Sequence, residues 1–218
     1  MVSQKLYQRS RTYNFFIKLL GYENGIGRFL EQIQIDCKPN CRVLDAGCGT
    51  GLLGLYFLDR FPDATLLATD LEPSFLQMTL ANAEKRGIES KRVDVGVANI
   101  SRPRQLTSLD GDSSTLQDSS FDLICVGAVV GYANDTEVSV RELLGLLAPG
   151  GYLINIEMSE SPSGRFVSKR FRYQNITLTH MQNVIRSEGC EVSATRLRIS
   201  HLPAKLTRTA IIARKPGS

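Results

Sequence analysis

The sequence predicts an α/β fold, a doubly wound and mostly parallel seven-stranded sheet with a C-terminal antiparallel strand pair, and three observations carry that prediction. The run Arg42-Val43-Leu44-Asp45-Ala46-Gly47-Cys48-Gly49-Thr50-Gly51 takes an apolar strand into an acid and then three alternating glycines. Downstream of it, short apolar runs alternate with helical patterns, as parallel strands joined by crossover helices do. Only His201-Leu202-Pro203-Ala204 separates the last two apolar runs, too little for a crossover, so those two strands pair antiparallel.

Taken in order, residues 4–20 place Leu6, Tyr7, Tyr13, Phe16, Ile17 and Leu20 at helical spacing among Lys5, Arg9, Arg11 and Lys18, which predicts an amphipathic helix ended by Gly21. A second helix is expected over 27–35, and Pro39-Asn40 turns the chain into a first strand over 42–45. The central alternation follows: helix 50–61, strand 65–70, helix 74–86 and strand 92–98. Residues 101–120 are polar, contain Pro103 and the run Asp110-Gly111-Asp112-Ser113-Ser114, and read as a loop with room for one helical turn. Strand 121–126, helix 137–147, the turn Ala148-Pro149-Gly150-Gly151 and strand 152–157 come next. Ser161 to Tyr173 is basic and partly apolar; Thr177 caps a helix that Gly189 ends; strands over 190–200 and 205–213 close the chain.

At 218 residues and 42% hydrophobic, the chain reads as one domain with a sizeable core, residues 1–35 forming a helical cap over the site. No apolar run approaches the length of a membrane span or carries a cleavage site, which points to a cytoplasmic protein. Cys37, Cys41, Cys48, Cys125 and Cys190 are odd in number and scattered, unlike a disulfide framework. Cys37 and Cys41 resemble half a zinc site, but His180 and His201 are the only histidines and both lie far along the chain, so no metal is expected. The net charge of +4 is uneven: residues 1–30 carry five Lys/Arg against one Glu, residues 161–218 eleven against two, and the middle is acidic. Basic ends attract anionic partners or are simply solvated.

Glycine tolerates positive φ and has no Cβ, so alternating glycines after a strand present bare amides at the edge of a parallel sheet. Leu66-Leu67-Ala68-Thr69-Asp70 then ends a second strand in an acid suited to a ribose diol, and adenosine is the implied ligand. A nicotinamide dehydrogenase would need a third glycine where Leu52 stands, and a phosphate-binding loop would need a Lys-Ser/Thr pair that is missing.

Four landmarks in order resemble the class I S-adenosylmethionine-dependent methyltransferases: Val43 to Gly51, Ala68-Thr69-Asp70-Leu71, Ser120-Phe121-Asp122-Leu123-Ile124 and Leu147-Ala148-Pro149-Gly150-Gly151. The resemblance spans Val43 to the C-terminus and implies a Rossmann-like methyltransferase fold with S-adenosyl-L-methionine as methyl donor. It implies that Gly47, Cys48 and Gly49 lie against the methionyl and ribose parts, that Asp45 steadies the loop or reaches the ammonium, and that Asp70 accepts from both ribose hydroxyls. Leu71 would pack on the adenine or ribose, Asn99 would take the adenine amino group or merely turn the chain, and Gly127 would line the sulfonium pocket.

Methyl transfer from a sulfonium is an in-line displacement in which alignment supplies much of the acceleration. Tyr132 is the candidate catalytic residue, as a positioning group rather than a base, because an ordinary phenol titrates near pH ~10. Asp135, His180 and Tyr13 stand behind it. A small molecule is the expected methyl acceptor, receiving the group on O, N or C, between the N-terminal helix and residues 158–173. An RNA or protein acceptor using the basic C-terminal third, or a non-catalytic cofactor-binding module, are the alternatives.

Overall fold

The computed structural model describes residues 21–217. The amphipathic helix expected over 4–20, with Tyr7, Tyr13 and Phe16, lies outside the described residues. One mixed sheet runs through the molecule. Its strands are β1 (Arg42–Ala46), β2 (Thr65–Asp70), β3 (Val93–Val97), β4 (Gln105–Thr107), β5 (Ser113–Thr115), β6 (Phe121–Gly127), β7 (Leu147–Met158), β8 (Glu191–Thr195) and β9 (Arg208–Arg214), and their spatial order is β5-β4-β3-β2-β1-β6-β7-β9-β8. The central five, β3-β2-β1-β6-β7, are parallel. β9 runs antiparallel to both β7 and β8, as the short final connection predicted.

Helices α1 (Tyr22–Glu31), α2 (Leu52–Arg60) and α3 (Pro73–Lys85) cover one face; α4 (Thr136–Leu146) and α6 (Leu178–Ser187) cover the other, and α5 (Pro162–Phe171) follows β7. Alternate strand residues feed the two cores. Val43 and Leu123 pack with Leu30, Leu55 and Leu76 on the first face, while Leu44 and Ile124 pack with Leu143 and Ile185 on the second. Strands buried on both faces carry near-continuous apolar runs, as Val43-Leu44 in β1 and Leu123 to Val126 in β6 show.

The predicted seven strands are all present, with two more at one edge. Residues 105–115 were expected as loop and instead form the β4–β5 hairpin, in which Leu106 packs over Gly96, where a side chain would leave no room. Ser113–Thr115 is fully exposed, so it shows no apolar alternation to mark it as a strand. α1 begins earlier than the helix expected at 27–35. Its apolar stripe is Tyr22, Ile26, Phe29 and Leu30, and Gly25, which reads as a breaker, is where the helix meets the His201 carbonyl: a Cβ there would stand 2.6 Å from that oxygen. The strand expected over 190–200 stops at Thr195, and two 3-10 turns, Ile199–His201 and Ala204–Leu206, carry the chain to β9. His201 is buried in that connection, its Nδ1 accepting from Arg198 N at 2.9 Å and its ring meeting Phe29 edge-on.

Strand order reverses at β1, which has β2 on one side and β6 on the other. Ligand crevices of open parallel sheets lie at such a switch point, beyond the carboxyl ends of the strands. Here those ends are Ala46, Asp70 and Gly127.

Candidate active site

A cavity of about 570 Å³ opens there, within the roughly 300–1,000 Å³ span of small-ligand sites. Asp45, Gly47, Cys48, Gly49, Asp70, Leu71, Asn99, Gly127 and Tyr132 all line it. The structure therefore gathers the candidate donor-site residues and Tyr132, drawn from four strand ends, into one space.

The loop after β1 is shaped by backbone bonds. Gly47 N and Cys48 N both donate to Thr69 O, at 2.8 and 2.9 Å, tying the turn to the neighbouring strand. Gly47 holds φ 72 and Gly49 φ 54, a region costly to residues with a Cβ. A Cβ on Gly47 would meet Val129 at 2.5 Å, whereas one on Gly49 would meet nothing within 4 Å. Gly49 thus keeps open the space in front of the loop.

Two acids flank it. Asp45 is buried and accepts from Gly54 N at 2.8 Å, fastening β1 to the first turn of α2. Burial pushes its carboxyl up to about 7, against the opposing pull of that bond. Asp70 accepts from Gly49 N through Oδ2 and from Glu72 N through Oδ1, each at 3.0 Å. Each oxygen retains acceptor capacity. Burial also raises this carboxyl, while those amides draw it back. α3 grips the far side: Thr79 Oγ1 donates to Gly49 O at 3.2 Å and Asn82 Nδ2 to Thr50 O at 2.9 Å. The Cys48 thiol lies 3.6 Å from Thr79 Oγ1 and is pushed up by burial.

Leu71 is 43% exposed, an apolar side chain turned out beside Asp70. Asn99 uses its amide oxygen to accept from Ser101 N at 2.9 Å, so it does turn the chain while lining the cavity. Ser139 Oγ donates to Ile100 O at 2.6 Å and Asn134 N to Ser101 Oγ at 2.9 Å, joining the loop after β3 to the α4 side. At the end of β6, Ala128 holds φ 52 while its N–H donates to Ile156 O at 2.8 Å. A left-handed alanine at a cavity wall is a strained position of the kind found at functional sites.

Tyr132 ends a 3-10 turn, Val130–Tyr132, is 45% exposed, and stands edge-on to Tyr173 with centroids 5.1 Å apart. Tyr173 is buried, packs on Gly131 where no Cβ fits, and donates its hydroxyl to Glu157 Oε2. Gln174 N donates to Gly131 O at 2.9 Å. The other basic or acidic candidates are elsewhere. Asp135 caps α4, accepting from Val138 N at 3.0 Å, and His180 pairs with Glu137 at 2.6 Å on an exposed face; neither lines the cavity. Cys37 and Cys41 stand 2.9 Å apart ahead of β1, and no group of three metal-ligating side chains occurs among the described residues.

Thr79, Asn82, Ala128, Glu157 and Tyr173 escaped the sequence reading. Thr79 and Asn82, a helical turn apart on α3 and polar within an otherwise amphipathic helix, were the available signal; a left-handed alanine leaves none.

Fold and cavity together define an α/β domain of the methyltransferase type. The model of the methyltransferase domain family matches residues 44–153, half of the chain, and the chain belongs to that family, the class I S-adenosylmethionine-dependent methyltransferases. Among curated relatives, it is 31% identical over 127 residues to demethylmenaquinone methyltransferase of Thermus thermophilus, covering 57% of this chain and 50% of that one. It is 24% identical over 158 residues to a malonyl-[acyl-carrier protein] O-methyltransferase of Acetivibrio thermocellus, covering 70% and 49%. The chain spans about half the length of these relatives. Among solved structures, an O-methyltransferase family protein from Burkholderia thailandensis superposes with TM-score 0.73 at 16% identity, over 98% of this chain and 62% of that one. Geranyl diphosphate C-methyltransferase from Streptomyces coelicolor, solved with S-adenosyl-L-homocysteine, gives 0.68 at 14% identity over 88% and 79%. These two likenesses show the shared fold.

Proposed function

We propose that this chain binds S-adenosyl-L-methionine across the ends of β1, β2 and β3 and transfers its methyl group to an O, N or C atom of a small molecule. The observation that carries the reading is the Asp70 carboxylate, held by two backbone amides opposite the bare Gly49. Its remaining lone pairs suit two hydroxyls on adjacent carbons. Leu71, beside it, offers an apolar face for a base, with Asn99 at the edge of that face. Asp45, Gly47 and Cys48 frame the end where the zwitterionic amino-acid tail fits, and the acids there favour its ammonium and the neighbouring sulfonium.

When bound, the donor supplies a methyl group already activated on a sulfonium, so the chain has to align and enclose rather than activate. Gly127 and Tyr132 stand where the two substrates would meet. Tyr132 orients the acceptor and excludes water, its ring held by Tyr173. α1 serves as part of a helical cap over the site; in support, its Tyr22, Glu23 and Ile26 line the cavity. The five cysteines are free, in keeping with a reducing, cytoplasmic setting. Among the described residues no helix is long and apolar enough to cross a membrane.

Calorimetry with S-adenosyl-L-homocysteine tests the donor site, and transfer of labelled methyl to a small-molecule panel tests the activity. Micromolar binding is the expected result; no heat at saturating ligand would remove the proposal.

A further inference from the structure

We infer that the acceptor carries an anionic group, a carboxylate or a phosphate, held by Arg170 and Arg172 at the mouth of the cavity. This rests on the methyltransferase reading of the same site and names what the acceptor end selects.

The cavity is electrically polarised. Asp45, Asp70 and Glu72 line the donor end, whereas Arg170, Arg172 and Arg208 line the other, with Glu23 as the acid there. Arg208 is engaged within the protein: it is 7% exposed, its guanidinium lies 5.8 Å from the Tyr22 ring, it contacts Met158 Sδ, and its charge acts on Glu157. Arg170 and Arg172 are exposed, and among the described residues neither has a carboxylate within ion-pairing distance. The contact shown for Arg170 is with the ring of Phe171, at 5.8 Å, another residue of the cavity wall.

The dipole of α5 favours cations in its last turn, which accounts for Lys169 and Arg170 being basic. It does not account for Arg172. That residue closes the helix with φ 55, a left-handed conformation that helices usually give to glycine and that costs a side chain roughly 1–2 kcal/mol. The next residue, Tyr173, is seated on Gly131 and bonded to Glu157. The two guanidinium groups therefore stand on a segment fixed at both ends, and guanidinium is suited to planar or tetrahedral oxyanions.

Four further basic residues of the C-terminal third lie elsewhere. Lys215 Nζ donates to Leu144 O and Leu147 O, Arg214 lies over Tyr152, and Arg196 and Arg198 border a separate hollow beside His201.

The test uses the full chain saturated with S-adenosyl-L-homocysteine and titrated with malonate or with inorganic pyrophosphate, followed by NMR. Wild type, Arg170→Gln, Arg172→Gly and the double variant are compared; Arg172→Gly relaxes the left-handed backbone, so the fold is retained. The expected result is anion binding by wild type that weakens at least about tenfold in the double variant, with S-adenosyl-L-homocysteine affinity unchanged within twofold. Tighter malonate binding marks a carboxylate acceptor and tighter pyrophosphate a phosphorylated one, and both support the inference. Absence of binding by wild type, or equal binding by the double variant, overturns it. So does a short RNA that binds more tightly than pyrophosphate and competes with it. If S-adenosyl-L-homocysteine itself fails to bind, the donor reading falls, while the anion titration of the unliganded chain still reports on the two arginines.

Discussion

At the end of the cavity made by β1, β2 and β3, most of the hydrogen-bonding groups belong to the backbone: Thr69 O, Gly49 N, Glu72 N and Gly54 N. At the end made by α1, α5 and β9 they belong to side chains brought together from distant segments, as when Tyr22 Oη meets Thr207 Oγ1 at 2.6 Å across 185 positions. The first end can serve one ligand in many relatives, because a backbone does not vary with its side chains. The second can be rebuilt one residue at a time.

The sharpest break of this contrast is at Asp70. Asp70→Ala removes the proposed diol acceptor and leaves Gly49 N and Glu72 N without partners, so affinity for S-adenosyl-L-homocysteine should fall a hundredfold or more, about 3–6 kcal/mol for two hydrogen bonds to a charged group. Calorimetry reads this directly, and retained affinity would move the donor elsewhere. Gly47→Ala forces φ 72 on alanine and drives its methyl into Val129. A stability loss of about 2–4 kcal/mol is expected, partly restored when Val129→Ala is added; urea unfolding is the measurement.

Two buried acids titrate near neutrality, Asp45 in the cavity wall and Glu157 behind it, bonded to Tyr173. Asp45 and Glu157 are both raised to about 7 by burial. The folded state therefore holds protons that the unfolded chain has already released, and stability should fall as pH rises from about 4 to 7, then level off, by up to roughly 3–4 kcal/mol per group. Glu157→Gln should flatten that slope, since the amide cannot ionise; a slope identical to wild type would show that Glu157 does not titrate there. The smallest expected effect is at the acceptor wall. Ser161 caps α5 by accepting from Gly164 N at 3.0 Å, and Ser161→Ala should cost about 1 kcal/mol without altering donor affinity.

These differences also explain what could be read from the chain. Gly47, Gly49, Asp70 and the strand runs around them are dictated by local backbone demands, and such demands are written where they act. α5 was visible only as a basic stretch, because its burial is confined to Gly164 and Ser168 and gives no apolar stripe. The β4–β5 hairpin is mostly polar, held by pairing and by the Leu106 contact with Gly96. Glu157 reads as the end of an apolar strand; its partners Tyr173 and Arg208 come from elements that only folding brings near. Arg172 is an ordinary basic residue until its φ is known.

The seating of Tyr173 against Gly131 has one more consequence. It is a seam: the polypeptide leaving β7 runs out to form the acceptor wall and is stitched back to the loop after β6 at that glycine and at the Gln174 amide. Between β7 and the seam the segment is also tied to the approach to β9, by Ser159 N on Thr207 O and Ser161 Oγ on Leu206 O, so a transplanted stretch that keeps those two serines and ends in the same Tyr-Gln pair should bring a new acceptor preference with it and leave the donor half undisturbed.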